Sequence, residues 1–201
     1  CPPFAPALMR LAITIATRNR LPEVKRTCAA LARLEPQPDE LWICADGCQD
    51  DTVEWVRRNC PQARLIVHVT SQHSIRSRDE MIRATDCDIV VGLDADSYPV
   101  DANFVTAAKE RFAAWPRCAV LSFPQRTDEF PDTLNQTDFG PTLLAGTYVN
   151  AASAIRRSAY LDLGGWPLVF EHAADEPDFA LRCIASRWQV IHETSIVIRH
   201  H

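Results

Sequence analysis

The sequence predicts an α/β fold in which helices flank a mostly parallel central sheet. Short apolar runs rich in β-branched residues, such as Ile89-Val90-Val91, alternate with amphipathic segments that carry helix-start signals. This order of strand and helix repeats through the first hundred residues. Because parallel strands need a crossover connection, and a helix is its usual form, the order is typical of a doubly wound sheet.

In the first half of the chain, strands are predicted at 8–17, 41–45, 65–69 and 89–93, with helices at 22–34, 52–59 and 74–84. Pro22 suits the first turn of the first helix, because proline lacks the N–H that this turn leaves unpaired. Pro36 and Pro38 follow that helix and end it. Asp50 or Asp51 supplies a carboxylate that can cap the second helix.

The second half of the chain is less regular. We predict a helix at 101–114, strands at 118–123 and 148–155, a short helix ending at 163, a helix at 175–185, and one or two strands within 189–199. Residues 124–146 are polar and lack a clear period, and a long irregular segment in a compact domain usually has a function. The length is that of one domain with a full core, so we expect a single domain over 1–201.

Composition and charge exclude several classes of protein. The formal net charge is −5, so no overall basic field attracts nucleic acid. No apolar run approaches the roughly 20 residues of a transmembrane segment, although peripheral association with a membrane stays open. The eight cysteines include no Cys-x-x-Cys pair, and several lie in apolar runs, which is typical of free thiols in a reducing compartment. We therefore expect a cytoplasmic protein.

Two carboxylates follow the fourth predicted strand, where Asp94-Ala95-Asp96 comes directly after Leu93. Side chains two residues apart in an extended chain point to the same side, and open α/β sheets bind ligands at this end of their strands. Two acidic oxygens there suit a divalent cation, which in turn binds a diphosphate. The alternative is an acidic turn that caps the next helix. No glycine-rich phosphate loop follows the first strand, so a metal would take its place.

Further motifs stand in a particular order along the chain. They are Thr17-x-Asn19-Arg20, Asp46-Gly47-x-x-Asp50-Asp51-Thr52, Arg78-Asp79, Asp94-Ala95-Asp96, Gly164-Gly165-Trp166, residues 175–182 and His200-His201. Together they resemble the family 2 type of nucleotide-sugar glycosyltransferases, over nearly the whole chain from about residue 11. The resemblance implies one GT-A (Rossmann-like) domain, with a nucleotide-sugar half at about 8–100 and an acceptor half at about 101–201.

The resemblance implies a donor site whose nucleotide-binding residues are Thr17, Asn19, Arg20, Asp46, Arg78 and Asp94. Asp46 matches the aspartate that accepts from the base, where a carboxylate suits the imide N–H of uracil. Ala45 and Cys48 replace an aspartate and a serine of the family's Asp-Asp-Gly-Ser segment. Arg78 matches the arginine over the nucleotide, where a guanidinium stacks or contacts phosphate. The alternative for Asp46 is an aspartate of a turn, and the alternative for Arg78 is an arginine on a solvated helix face.

A metal site is also implied by the resemblance. Its ligands would be Asp96 and Asp94 with a late histidine, either His200 or His201. The metal would be Mn²⁺ or Mg²⁺, and an imidazole ligand suits Mn²⁺ better.

The acidic helix start at Asp175-Glu176 matches the pair that supplies the family's catalytic base, with the order of the two acids swapped. Glu176 stands at the position of the base, which takes the proton of the acceptor hydroxyl. The alternative, for at least one of the two acids, is that its charge only interacts favourably with the dipole of the helix. Trp166 and Gly165, together with residues 124–146, would form the acceptor region.

The resemblance implies a metal-dependent transferase that moves a sugar from a nucleoside-diphosphate sugar, with UDP favoured, to a saccharide, lipid-linked or protein acceptor, with inversion. A phosphatase of the haloacid dehalogenase type is disfavoured because three strands precede Asp94 and Tyr98 occupies the position of its usual threonine. A nucleotidyltransferase lacks support because its glycine-rich first loop is missing. A non-catalytic domain that binds a nucleotide sugar or a partner protein remains the alternative.

Overall fold

The computed structural model describes residues 9–129, 142–170 and 174–201, and the side chains of 142–144 are outside the description. Residue 8 of the first predicted strand, residues 130–141 of the predicted irregular segment, and residues 171–173 therefore lie outside the described residues. The described residues form a mixed α/β fold with an eight-stranded sheet in the order β3-β2-β1-β4-β9-β6-β10-β8 and a second sheet in the order β5-β11-β7. The predicted α/β class is confirmed.

The first half is a regular alternation of strands and helices. Its elements are β1 (Leu11–Thr17), α1 (Leu21–Leu31), β2 (Glu40–Asp46), α2 (Thr52–Asn59), β3 (Ala63–His68), α3 (Ser74–Ala84) and β4 (Ile89–Asp94). β1 pairs in parallel with both β2 and β4, and β2 pairs in parallel with β3. Each predicted element of this half is present. At α2, the carboxylate of Asp50 accepts from the Thr52 N–H at 3.2 Å, whereas Asp51 makes no capping bond through its side chain.

The second half adds strands of both directions. Its elements are β5 (Ser97–Pro99), α4 (Phe104–Ala114), β6 (Cys118–Ser122), β7 (Gln125–Arg126), β8 (Thr142–Leu144), β9 (Ala152–Arg156), α5 (Arg157–Asp162), α6 (Asp175–Ala185), β10 (Gln189–Glu193) and β11 (Ile198–His200). β9 lies antiparallel between β4 and β6, while β6 and β10 pair in parallel.

Two expectations for this half need correction. The predicted strand at 148–155 begins only at Ala152, because the preceding residues form the turn that leads into β9. Residues 124–146 are not irregular throughout, since β7 and β8 lie within them. β7 is only two residues long and pairs with β11 rather than with a neighbour in sequence, so no local period reveals it.

The sheet is buried on both faces, as expected where helices cover a parallel sheet. Ile89, Val91 and Leu93 of β4 belong to one core cluster with helix α4, whereas Val90 belongs to the cluster on the other face. The alternation of side chains along β4 therefore supplies both cores from one continuous apolar run. Among the described residues, no helix is both long and apolar enough to span a bilayer. The seven described cysteines are free thiols.

Adjacent arginines after β9 anchor two helix ends. Arg156 donates to the carbonyl oxygens of Phe112 and Trp115 at the end of α4 and of Cys118 at the start of β6, at 2.8 to 3.1 Å. Arg157 donates to the last carbonyls of α3, at 2.9 and 3.0 Å. Carbonyls at a helix C-terminus lack partners within the helix, so these guanidinium groups satisfy them and fix both helices to the sheet.

The turn at Gly164-Gly165 approaches Arg83 of α3 and Tyr160 of α5, and substitutions in the turn test how closely these groups pack. Both glycines have positive φ, +84° at Gly164 and +75° at Gly165. A Cβ at Gly165 would lie 2.6 Å from Arg83 Nη2 and 2.9 Å from Tyr160 Cε1, whereas a Cβ at Gly164 would meet nothing within 4 Å. We expect Gly164→Ala to cost about 1–2 kcal/mol of unfolding free energy through backbone strain alone. Gly165→Ala should cost about 1–3 kcal/mol more, because it also overpacks the contact.

Urea denaturation of the two variants measures this difference, and Gly164→Ala is the matched control for strain at positive φ. Equal losses of stability in the two variants would contradict the close contact of Gly165 with Arg83 and Tyr160.

Candidate functional site

The carboxyl ends of the parallel strands form one wall of a cleft of about 380 Å³. Its lining comes from the ends of β1, β2 and β4, the start of α3, and β11. The sequence-predicted residues that line it are Thr17, Arg20, Asp46, Arg78, Asp94, Asp96 and His200. Asn19 does not line the cleft. Its Oδ1 accepts from the Gln49 N–H at 2.7 Å, and its φ of +53° turns the chain between β1 and α1.

Three candidate metal ligands converge at the end of β4. One ligand atom each of Asp94, Asp96 and His200 lies within 4.8 Å of the other two. His200 Nε2 is 3.2 Å from Asp96 Oδ1 and 3.8 Å from Asp94 Oδ2. Two carboxylates and an imidazole nitrogen are a donor set that Mn²⁺ accepts.

The structure brings His200, and not His201, to the carboxylates. The His201 ring lies 2.9 Å from both the Tyr98 hydroxyl and Asp128 Oδ1. Successive residues of a strand point to opposite sides, and β11 ends at His200. His201 as a metal ligand is therefore not supported by its position.

Two arginines balance the carboxylates of this site. Arg20 forms an ion pair with Asp96, and Arg78 forms one with Asp94. Burial raises the pKa of Asp96, but the neighbouring His200 and Arg20 outweigh burial and hold that pKa below its usual value. The contact with Asp96 likewise raises the pKa of His200. Asp96 is therefore a carboxylate at neutral pH.

The donor atoms fit a cation. Asp96 is only 7% exposed, and its Oδ1 is buried without an aligned hydrogen-bond partner among the described residues. A buried carboxylate oxygen with unused lone pairs is costly unless something binds it, and an ion at this point would satisfy it.

Asp46, at the end of β2, is held by a partly buried histidine that the sequence did not single out. Asp46 accepts from His68 Nδ1 at 2.7 Å, from the Ser71 hydroxyl at 2.6 Å and from the Gln72 N–H at 2.7 Å. The other ring nitrogen of His68 contacts Glu80 at 2.8 Å. With a carboxylate on each nitrogen, both nitrogens donate, so the ring is an imidazolium.

The electrostatics of this cluster agree with its geometry. Burial lowers the pKa of His68, but the hydrogen bonds and charges of Asp46 and Glu80 outweigh burial and raise it above its ordinary value. Burial raises the pKa of Asp46, but its bonds to Gln72, Ser71 and His68 reverse the effect and lower it. Asp46 is therefore an ionised hydrogen-bond acceptor on the wall of the cleft.

The two acids at the start of α6 differ in their surroundings. Asp175 is 3% exposed and accepts from Asn150 Nδ2 at 2.5 Å. Glu176 accepts from the Asn150 backbone N–H at 3.1 Å. Burial raises the pKa of Glu176, and the charge of Asp175 adds to this, whereas the Asn150 N–H and the charge of Arg78 oppose it. Of the two, Glu176 is the stronger candidate for a base, because Asp175 is locked to an amide.

Asn150 also ties α6 to the metal-site strand. A Cβ on Gly92 of β4 would lie 2.7 Å from the Asn150 carbonyl oxygen. The glycine therefore allows the turn before β9 to approach the backbone of β4 closely. Gly92 is two residues from Asp94 along the strand. The candidate base is thus fixed to the strand that carries Asp94.

Trp166 and Gly165 lie away from the cleft. Trp166 is 4% exposed, its backbone N–H donates to the Tyr160 hydroxyl at 3.1 Å, and its indole N–H donates to the Tyr148 hydroxyl at 2.8 Å. The Tyr160 hydroxyl in turn donates to Asp79 at 2.7 Å. The structure therefore shows these residues in the packing of α3 against α5, and a part in acceptor binding stays a prediction.

The ion pairs of His68 predict a pH dependence of stability. Because the pKa of His68 is raised on folding, its contribution is complete below about pH 6.5 and is lost as the pH rises through the folded-state pKa. Urea unfolding should show that the wild type is less stable at pH 9 than at pH 6. This loss should be smaller in His68→Gln, and the loss in Glu80→Gln should lie between those of the wild type and His68→Gln. A pH dependence that is the same in wild type and His68→Gln would contradict the imidazolium.

The chain is similar to known proteins both in sequence and in fold. The sequence profile described as Glycosyl transferase family 2 matches residues 12–172. No curated protein sequence matches this chain. Among solved structures, the chain is similar to a mannosyltransferase, PcManGT from Pyrobaculum calidifontis, in complex with GDP-Man and Mn²⁺, at a TM-score of 0.77 and 17% identity, covering 97% of this chain and 57% of that one.

Two further structures are similar in fold. One is GalNAc-T7 with UDP, GalNAc and Mn²⁺, at a TM-score of 0.79 and 10% identity, covering 97% of this chain and 44% of that one. The other is S. aureus TarS 1-349 in complex with UDP, at a TM-score of 0.72 and 15% identity, covering 92% of this chain and 60% of that one. The chain thus spans less than two thirds of each of these structures. It has the GT-A fold, and it belongs to glycosyltransferase family 2.

Proposed function

We propose that this chain is a metal-dependent glycosyltransferase, which moves a sugar from a nucleoside-diphosphate sugar to an acceptor hydroxyl. The observation that carries the proposal is the convergence of Asp94, Asp96 and His200 in a cleft that Arg20 and Arg78 also line. Two structures with a similar fold contain Mn²⁺, one together with GDP-Man and the other together with UDP and GalNAc, which supports this assignment.

Asp94, Asp96 and His200 would hold the metal, Mn²⁺ or Mg²⁺. A cation held there would supply Lewis-acid stabilisation for the charge of the departing diphosphate. Arg78 is 8% exposed, and its Nε is buried without a hydrogen-bond partner among the described residues. Arg20 and Arg78 therefore bring positive charge and an unused donor to the place where phosphate oxygens would bind.

Glu176 would act as the general base. As the acceptor oxygen bonds to the anomeric carbon, its proton passes to Glu176, and the bond from that carbon to the diphosphate oxygen breaks. A raised pKa makes Glu176 a better proton acceptor than an exposed carboxylate. One displacement of this kind inverts the anomeric configuration, so we propose inversion.

The favoured nucleotide is UDP. Asp46 is an ionised acceptor in the cleft, and its Oδ2 accepts only the Ser71 hydroxyl among the described residues, so it can take one further donor. The imide N–H of uracil offers one donor there. Whether the acceptor is a saccharide, a lipid-linked sugar or a protein stays a prediction, as does a cytoplasmic location.

A second candidate is a domain that binds a nucleotide sugar without transferring it. Ala45 replaces an aspartate of the family's usual turn, and Asp175-Glu176 reverses the usual order of acids. Release of free sugar from UDP-sugars in the presence of Mn²⁺ distinguishes the two, because a transferase slowly uses water as acceptor. Binding without any turnover would favour the second candidate.

Loss of Asp96 should remove metal-dependent donor binding. We expect UDP with Mn²⁺ to raise the melting temperature of the wild type, since a ligand at 100 times its Kd stabilises by about 2.7 kcal/mol. Asp96→Asn should show no metal-dependent rise. Asp128→Asn is the matched control, because Asp128 is a more exposed acid that pairs with Arg199 and His201 instead. A metal-dependent rise in Asp96→Asn equal to that of the wild type would refute the ligand assignment.

Loss of Glu176 should separate catalysis from binding. Glu176→Gln is expected to lower donor turnover by about 100- to 10,000-fold, because the base is missing, while calorimetry shows unchanged UDP affinity. Asp178→Asn is the control on the same helix, since Asp178 pairs with Arg182. Turnover by Glu176→Gln at the wild-type rate would exclude Glu176 as the base.

A further inference from the structure

One buried side chain contacts the candidate histidine ligand from outside the ligand set. Gln125 of β7 is 4% exposed, and its Oε1 lies 2.8 Å from His200 Nδ1. β7 and β11 pair in parallel, with Ile198 opposite Gln125. His200 is two residues beyond Ile198, so its side chain lies on the same face of the small sheet as that of Gln125.

This contact decides which ring nitrogen of His200 carries the proton. An amide carbonyl oxygen only accepts hydrogen bonds, so Nδ1 is the donor to Gln125. When a cation takes the place of a proton at Nε2, the ring is a neutral imidazole whose single N–H stays at Nδ1, and Nε2 offers its lone pair. Nε2 is the nitrogen that faces Asp96 Oδ1 at 3.2 Å and Asp94 Oδ2 at 3.8 Å.

The second sheet holds both partners in place. β11 pairs with β7 on one side and with β5 on the other, where His200 lies opposite Ser97. The Ser97 hydroxyl accepts from the Asp94 N–H at 2.8 Å. The same three strands therefore fix Gln125, His200 and the backbone of Asp94 relative to one another.

We propose that Gln125 is a positioning residue for the metal site, which fixes the ring orientation and the Nδ1–H tautomer of His200 so that Nε2 presents its lone pair to the ion. The inference rests on the metal site proposed above. Partners of this kind, which bond the far nitrogen of a ligating histidine, typically change metal affinity 10- to 100-fold.

Mn²⁺ affinity of the full chain without nucleotide tests the proposal, with free Mn²⁺ measured by electron paramagnetic resonance. Gln125→Met keeps the side-chain length but removes the acceptor, and it should bind Mn²⁺ about 10- to 100-fold more weakly. Gln125→Glu keeps an acceptor oxygen and should retain the wild-type affinity or exceed it. His200→Ala should bind weakly, and adding Gln125→Met to it should cause no further loss.

The variants distinguish failure of this inference from failure of the metal site. If His200→Ala binds Mn²⁺ as the wild type does, the metal site itself is wrong, and the inference falls with it. If His200→Ala is weak but Gln125→Met is unchanged, only the role of Gln125 is overturned. A further loss in the double variant would also overturn it, because Gln125 would then act by another route.

The tautomer gives a readout that a merely structural role of Gln125 would not move. In ¹⁵N-edited NMR with diamagnetic Mg²⁺ bound, the Nδ1–H of His200 should exchange slowly with water in the wild type and faster in Gln125→Met, with His200→Ala identifying the signals. A dominant Nε2–H tautomer would overturn the proposal. Should Gln125→Met fail to fold, this measurement and the Gln125→Glu variant decide it.

Discussion

The balance of charge at the end of β4 is the interaction on which the rest of the site depends. Asp94 and Asp96 place two carboxylates close together, and such a pair is unfavourable unless positive groups compensate it. Arg20, Arg78 and His200 do so, and each comes from a different element. The loop after β1, helix α3 and strand β11 must therefore all meet at one point, which fixes the shape of the cleft.

The second sheet explains how a late segment of the chain reaches that point. β11 inserts between β5 and β7, and its register places His200 opposite Ser97, next to the carboxylates. On the other side of the site, Asn150 connects the start of α6 to β4 through contacts with Asp175, Glu176 and Gly92. Strand β4 thus aligns Asp94 with the candidate base Glu176.

The sequence alone predicts the regular first half of the fold and most of the cleft, because alternating strands and helices put the polar strand ends at one edge. It does not predict where β9 inserts, since that pairing is between distant segments. It leaves His200 and His201 equal, and only the contacts of the two rings in the structure separate them. It also misses His68 and Gln125, whose roles arise from contacts with residues 22 and 75 positions away.

The central claim is that Asp94, Asp96 and His200 form a metal site beside a nucleotide-diphosphate site. Anomalous diffraction from crystals grown with Mn²⁺ and UDP tests it most directly. We expect a manganese peak within coordination distance of all three side chains, with the diphosphate between the metal and Arg78. Diphosphate bound in the cleft without a metal peak, or a manganese peak elsewhere in the molecule, would contradict it.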